Sequence, residues 1–375
     1  MMGHITTMTI CEKQFVKLLR AVISDEEPPC DIDWDGVWNL ARRQHLETIV
    51  WETAKTDPTV PEDIKPQMSI IYNQMIAREV RQGHCFAMIE KALSDAGIHY
   101  APLKGAILKN DYPQTRFRFM SDLDFYIKPE DRPTIRKIIE SVGAKFKGTE
   151  SGDEQFLFWD KIGIEFHGRL LYRKTKAGIE NYPEWEFVDE EKDRLSEEGY
   201  ALNLIGHAVH DLAGSGPGIR YILDLWIYRN RHKPQPYWKS VNERLRRDNI
   251  LEAAQNLLNL SEYLFGNGEE SPLMIEMADY VLKGGLHGDY KRGLSSEAAN
   301  GKALRKQLLR NRTEFENRYP WLKKYPFLLP IAWVMRIAQS WKRHKRKIIS
   351  WQKDMHGVSS KDAEMQKQTL MRFGL

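Results

Sequence analysis

The spacing of apolar positions changes twice along the chain. Up to about residue 95 it is helical: Phe15, Leu18, Leu19 and Val22 form one stripe, and Trp34, Val37, Trp38 and Ala41 a second. Pro58, Pro61 and Pro66 punctuate the next connection. A long periodic segment then runs from Met68 to Ala96, offering Ile71, Met75, Val80, Phe86, Ile89 and Leu93 to a core before Gly97 stops it. From Ile98 the period shortens to that of strands. Ile98 to Leu103 reads as a short buried strand, and Lys104-Gly105 as a turn into a brief helix. Ser121 to Ile127 alternates, with Leu123, Phe125 and Ile127 on one face and Asp122, Asp124 and Tyr126 on the other. Pro129 opens a helix striped by Ile135, Ile138, Ile139 and Val142 and ended by Gly143. Phe156–Trp159 and Ile162–His167 make a hairpin. In its second strand Ile162, Ile164 and Phe166 oppose Gly163, Glu165 and His167. From Ala201 helical spacing returns with Leu204, Ala208 and Leu212, then Ile222, Leu223 and Trp226. A glycine-rich loop, Gly214 to Gly218, separates the two stripes, and further helices are expected at 250–264 and 272–282.

This order predicts an α+β protein, a small mixed β-sheet embedded in a mostly helical chain. It divides into a helical region at 1–95, a sheet-bearing core at 96–195, a helical region at 196–300 and an aromatic, basic helical tail at 301–375. A chain of 375 residues is long enough for more than one domain, and 42% hydrophobic residues suffice for a packed core. The formal charge is +4, and Lys342, Arg343, Lys345, Arg346 and Lys347 alone exceed it, so the rest of the chain is close to neutral. That argues against a long nucleic-acid track. The basic run, flanked by Trp341 and Trp351, reads either as a contact for an anionic membrane surface or nucleic acid, or as a solvated helix face. Three widely spaced cysteines argue against a disulfide framework and fit a reducing, cytoplasmic location. No signal peptide is read at the N-terminus.

The candidate chemistry lies in the strand region. Asp122 and Asp124 share one face of a strand, roughly 6–7 Å apart along the chain, so both reach toward a pair of metal ions without competing for one position. Glu165 on a second strand would complete an oxygen-rich site suited to Mg²⁺. At the Lys104-Gly105-Ala106 turn, Gly105 permits close backbone approach to phosphate, and Lys104 adds a point charge. Arg118 is a further phosphate candidate and Arg116 a weaker one. Three clustered carboxylates repel one another unless a cation neutralises them. Asp124→Asn is therefore expected to leave the metal-free fold as stable as before, or more so.

These segments carry a resemblance. Trp34-x-x-Val37-x-x-Leu40-Ala41-x-x-x-His45, then APLKGAIL (101–108), RFMSDLDFYIKPED (118–131), IEFHGRL (164–170), HAVHDLAGSGPGIRYILDL (207–225) and YPFLLPIAWVMR (325–336) together resemble the poorly characterised nucleotidyltransferases of the DNA polymerase β-like superfamily. The resemblance implies a small mixed-sheet catalytic core, a nucleoside triphosphate donor, Mg²⁺ (or Mn²⁺), and an acceptor of unknown identity. Asp122 and Asp124 match the superfamily's paired aspartates, and Glu165 its third acidic residue. The usual Gly-Ser is Gly105-Ala106 here, so a phosphate-contacting hydroxyl is missing, and the spacing from Gly105 to Asp122 is long. Both departures leave room for a changed donor or lost activity. The reading is a Mg²⁺-dependent transfer of a nucleoside monophosphate from an NTP to a hydroxyl. The alternatives are an inactive nucleotide- or RNA-binding module on the same fold, and a peripheral membrane-associated protein.

A second group comprises His207, His210, Arg220 and Asp224, with Gly216 and Gly218. His207 and His210 share a helix face; a zinc site there would need further ligands, for which Asp211 or Asp224 could serve, though no cysteine is near. Arg220 and Asp224, one turn apart, are placed to pair. The functional reading has these residues, with His167, closing over the active site and touching nucleotide or acceptor, the glycine loop permitting close approach.

Overall fold

The computed structural model describes residues 8–150, 153–159, 161–175, 178–232, 235–286, 288–299, 319–335, 354 and 357–375. It shows an α+β protein whose central sheet has five strands. Among the described residues, four helices precede the first strand: α1 (Ile10–Ser24), α2 (Trp34–Gln44), α3 (Glu47–Ala54) and α4 (Lys65–Asp95). Thr9 and Glu12 form a capping box that starts α1, and Asp33 caps α2, each satisfying amides that the first turn leaves free. In α4 the buried positions include Met75, Gln82, Cys85, Ile89 and Leu93. Val80, expected in the core, is 68% exposed. It lies off that stripe, and Gln82 takes the inward place by donating to the carbonyl of Met120.

Strand β1 (Tyr100–Pro102) leads through the short helix α5 (Gly105–Leu108) to β2 (Asp122–Ile127). Helix α6 (Arg132–Ser141), β3 (Ala144–Glu150), β4 (Asp153–Phe158) and β5 (Ile162–His167) follow. The strand order is β1-β2-β5-β4-β3, with β2 and β5 parallel and every other pair antiparallel. A parallel pair cannot be joined by a hairpin, so the chain crosses over through α6, β3 and β4 before β5 enters beside β2. The apolar face of the sheet, with Leu123, Phe125, Phe156, Ile164 and Phe166, packs on Ile89 and Leu93 of α4 and Ile135 and Ile139 of α6. Phe125 stacks on Phe86 and Phe166, with centroids 5.4 Å apart in both pairs. That burial fixes which face of β2 and β5 turns away, and Asp122, Asp124, Glu165 and His167 are on it.

Strands not anticipated from the apolar pattern follow. The hairpin β6 (Leu171–Thr175) and β7 (Gly178–Tyr182) and the short pair β8 (Val188–Asp189) and β9 (Arg194–Leu195) come before the second helical region. That region comprises α7 (Glu197–Ala213), α8 (Ile219–Arg231), α9 (Trp238–Arg247), α10 (Leu251–Phe265), α11 (Pro272–Lys283) and α12 (Tyr290–Ala299). Phe15 and Trp38 from the first helices share one hydrophobic cluster with Leu204, Ile222 and Leu257 from the later ones, and Tyr126 on the carboxylate face of β2 joins it. The chain ends in α13 (Ser360–Arg372), followed by Phe373, which is buried in the same cluster. The basic run at 342–347 lies outside the described residues. No helix among the described residues is long and apolar enough to cross a membrane.

Candidate active site

The register of the parallel pair sets Asp124 directly beside Glu165, and Asp122 beside Gly163. A Cβ at Gly163 would meet that of Asp122 at 3.4 Å, an ordinary contact, so the two positions lie side by side across the parallel pair. Asp124, Glu165 and His167 each present a potential ligand atom, all within 4.8 Å of one another, and they are the one set of such groups this close among the described residues. Asp122 is half-buried at the edge of this set and accepts a hydrogen bond from the Ser121 hydroxyl at 2.8 Å. Arg78 of α4 holds this end of the strand by donating to the Ser121 carbonyl.

Two cations of the chain already meet at Asp124. Its Oδ1 accepts from Lys104 Nζ at 2.8 Å and lies 2.6 Å from His167 Nε2. Burial opposes the Asp124 charge, but Lys104 and His167 outweigh it and hold the carboxyl well below the usual carboxylate range. His167 also reaches Asp153 through Nδ1 at 3.2 Å. Burial alone would lower its pKa. The bonds to Asp124 and Asp153 instead raise it to about 9, so the ring is an imidazolium at neutral pH. Lys104 follows the same balance: burial is overcome by Asp124, with Tyr172 and Asp122 adding, and the ammonium is held above the ordinary lysine range. Glu165 moves the other way. Burial first, then the charges of Asp124 and Asp122, push its carboxyl up, while Gln155 across the β4–β5 pair donates to its Oε1 at 3.1 Å.

Lys104 holds this position through an unusual backbone, φ 49° and ψ −126°, a conformation that costs a non-glycine residue about 1–3 kcal/mol. Its carbonyl accepts from the Tyr200 hydroxyl at 2.8 Å. Gly105 is glycine for a packing reason, since a Cβ there would stand 2.7 Å from Met120 Cγ. Ala106 beside it is buried in the cluster beneath the sheet.

Arg118 does not face the carboxylates as a free cation. Its Nε donates to both oxygens of Asp224 on α8, at 2.7 and 3.0 Å, and Tyr112 donates to Asp224 at 2.6 Å. The pairing expected between Arg220 and Asp224 is therefore not the one that forms. Arg220 donates to the carbonyl of Phe119 instead, and burial, with Arg118 close by, lowers its pKa to about 10. The aspartate chooses the arginine that the tertiary fold aims at both its oxygens over the one a helical turn away.

His207 on α7 stands near the carboxylate site, since Lys104 and Asp124 are among the charges it feels. Burial, with Lys104 and His210 adding, outweighs Asp211 and lowers its pKa to about 4, so the ring is neutral. It stacks on Tyr221 of α8 and meets Tyr172 of β6 edge-on. His210 is half-exposed and lies 3.4 Å from Asp211. The glycine loop serves packing between helices. A Cβ at Gly216 would strike Tyr280, and one at Gly218 would strike Gln44 and the carbonyl of Gly285. The close approach it permits is thus to Tyr280 and to the α2–α11 region. Tyr172, Tyr221, Asp153, Gln155 and Arg78 were not foreseen at the site. Gln155 and Asp153 left a signal, because hairpin alternation sets Gln155 opposite Glu165 and Asp153 on the same face of its strand.

A small mixed sheet whose parallel pair aligns an Asp-x-Asp with a glutamate, beside a lysine-bearing turn, is the frame of a nucleotidyltransferase. The chain belongs to a nucleotidyltransferase family: the family model described as "Uncharacterised nucleotidyltransferase" matches residues 31–266. The match takes in the whole sheet and runs through α10, whereas the 325–336 stretch counted in the resemblance lies beyond it. No curated protein and no solved structure matches the chain.

Proposed function

We propose that the protein transfers a nucleoside monophosphate from a nucleoside triphosphate to a hydroxyl acceptor, with Mg²⁺ or Mn²⁺ held by Asp122, Asp124 and Glu165. The observation that carries the reading is the side-by-side register of Asp124 and Glu165 on parallel strands, with Lys104 reaching the same face. The donor set fits a divalent cation: Asp124 and Glu165 offer carboxylate oxygens within 4.8 Å of each other, Asp122 stands two residues along the same strand face, and Asp153 behind His167 keeps a buried Oδ1 without a hydrogen-bond partner. Carboxylate oxygens suit Mg²⁺ and Mn²⁺ alike. The cation, when bound, would neutralise charge on the phosphates and on the displaced oxygen.

The remaining work falls to the chain. Lys104 binds a phosphate oxygen as a point charge. Glu165, whose carboxyl is pushed up by burial and by its acidic neighbours, is the group suited to take the proton of the attacking hydroxyl. Asp153 orients His167, and Tyr172, His207 and Tyr221 wall the side where an acceptor would enter. Transfer then depends on positioning and charge neutralisation. The test is to incubate the protein with each labelled NTP and Mg²⁺ in a cell extract and identify what becomes labelled. Label that is transferred by the wild type and by Asp124→Asn equally would remove the reading.

One observation favours a second reading. Asp124 is already neutralised by Lys104 and His167, and Ala106 replaces a phosphate-binding serine, which together suit a module that binds nucleotide without chemistry. Nucleotide binding with no labelled acceptor in any extract would favour it.

A further inference from the structure

The arrangement around Asp124 bears on how a metal could reach it. Lys104 Nζ and His167 Nε2 both bond the same oxygen, Oδ1, so a dication approaching that oxygen meets an ammonium and a ring nitrogen already in contact with it. Like charges forced together at a buried carboxylate are costly. One of the two must leave first, and their anchoring differs. His167 is held at its other ring nitrogen by Asp153, so its ring cannot swing away without breaking that pair. Lys104 holds Asp124 only through the end of a flexible four-carbon stem. Its main chain is pinned by the Tyr200 bond, while its side chain is 24% exposed against 5% for Asp124. The ammonium therefore has a way out that the carboxylate lacks.

We propose that Lys104 is the resident cation of the Asp124 seat, and that a divalent ion takes the seat only when a polyphosphate draws the ammonium away. The polyphosphate in this statement rests on the nucleotidyltransferase reading, whereas the occupied seat rests on the geometry alone. The exchange conserves interactions: Lys104 trades a charge-assisted bond to a carboxylate for one to a phosphate oxygen, and Asp124 trades an ammonium for a metal ion. Metal and nucleotide then bind with positive coupling, and metal-first binding is suppressed.

The experiment measures Mn²⁺ binding by the loss of the free-ion electron paramagnetic resonance signal, without nucleotide, in the full-length protein. The variants are Lys104→Met, which keeps the stem without the charge, and Lys104→Gly, which suits the positive φ and secures a folded comparison. Wild type is expected to bind Mn²⁺ weakly and both variants about tenfold or more tightly, the scale of a site–site coupling. Adding Asp124→Asn to either variant should abolish the gain. A non-hydrolysable triphosphate analogue should tighten Mn²⁺ binding in wild type far more than in the variants. Equal Mn²⁺ affinity in wild type and both variants, or a gain that survives Asp124→Asn, would overturn the proposal. A gain in the variants with no effect of the analogue on wild type would keep Lys104 as resident cation and would sink the nucleoside triphosphate reading instead.

Discussion

Arg118, on the loop leading into β2, grips both carboxylate oxygens of Asp224 on α8, and neither side chain is more than 5% exposed. The pair ties the carboxylate-bearing strand to the second helical region. Removing one member strands the other as a buried charge, which costs about 3–5 kcal/mol. Asp224→Ala is expected to lose that much stability by chemical denaturation, while Tyr112→Phe, which removes one bond to the same carboxylate, loses about 1 kcal/mol. A loss well below that of Tyr112→Phe in the Asp224 variant would show that the pair contributes nothing to the fold.

Asp124→Asn separates two pictures of the site. Carboxylates without a counter-ion would make the substitution neutral or stabilising in the metal-free protein, the outcome expected from the sequence. Lys104 and His167 supply the counter-ions, so the sign reverses: two half-buried cations lose their shared, buried partner. The metal-free variant is expected to be less stable by about 1–3 kcal/mol in equilibrium unfolding, and to lose transfer. An unchanged or raised unfolding midpoint would mean the pairs do not hold in solution.

Glu47 is buried, and burial raises its pKa from 4.5 to about 7, with Arg42 and Arg220 only partly offsetting. Between these values the folded state holds a proton that the unfolded chain has released. The stability it contributes is therefore full below pH 4.5 and is lost as pH rises through about 7, up to about 3 kcal/mol. His207, lowered to about 4, acts in the opposite direction, losing stability as pH falls below 6.5. The comparison of wild type with Glu47→Gln isolates the first effect. Glu47→Gln is expected to gain on wild type between pH 5 and pH 8, as read from denaturation midpoints across that range. Parallel pH profiles would rule the assignment out.

The basic run at 342–347 needs a test that spares the end of the chain. Phe373 is buried, Gln366 of α13 donates to Tyr280 and Arg372 pairs with Glu276, so truncation before the run would also remove a docked helix. Replacing Lys342, Arg343, Lys345, Arg346 and Lys347 with glutamine leaves α13 in place. If the run meets an anionic surface, binding to acidic vesicles or RNA at low salt should drop, with a smaller salt dependence. Equal binding by both proteins would leave the run a solvated face.

Much of the site was legible because strand alternation is a local rule. A period of two sends Asp122 and Asp124 one way and Leu123 and Phe125 the other, and the same rule sends Glu165 and His167 together, whatever surrounds them. Helices α10 and α11 were legible from their 3.6-residue stripes. Strands β6 to β9 were not, because they are short, mixed in polarity and held by pairing with each other and with α7. Val80 failed because an apolar residue fills a core position only if something packs over it, and that depends on where a 31-residue helix meets the sheet.

The sequence by itself determined the faces of β2 and β5, and so the common side of Asp122 and Asp124 and that of Glu165 and His167, since both follow from near-neighbour periodicity. Tertiary structure alone decided the partners. Asp224 lies one turn from Arg220 but binds Arg118, far off in the chain, and Asp124 receives Lys104 and His167 from two other elements. Charge pairing is chosen by distance and desolvation in three dimensions. Burial multiplies the cost of an unmatched charge, so the fold satisfies the most buried carboxylates with whichever cations its packing brings within 3 Å of them.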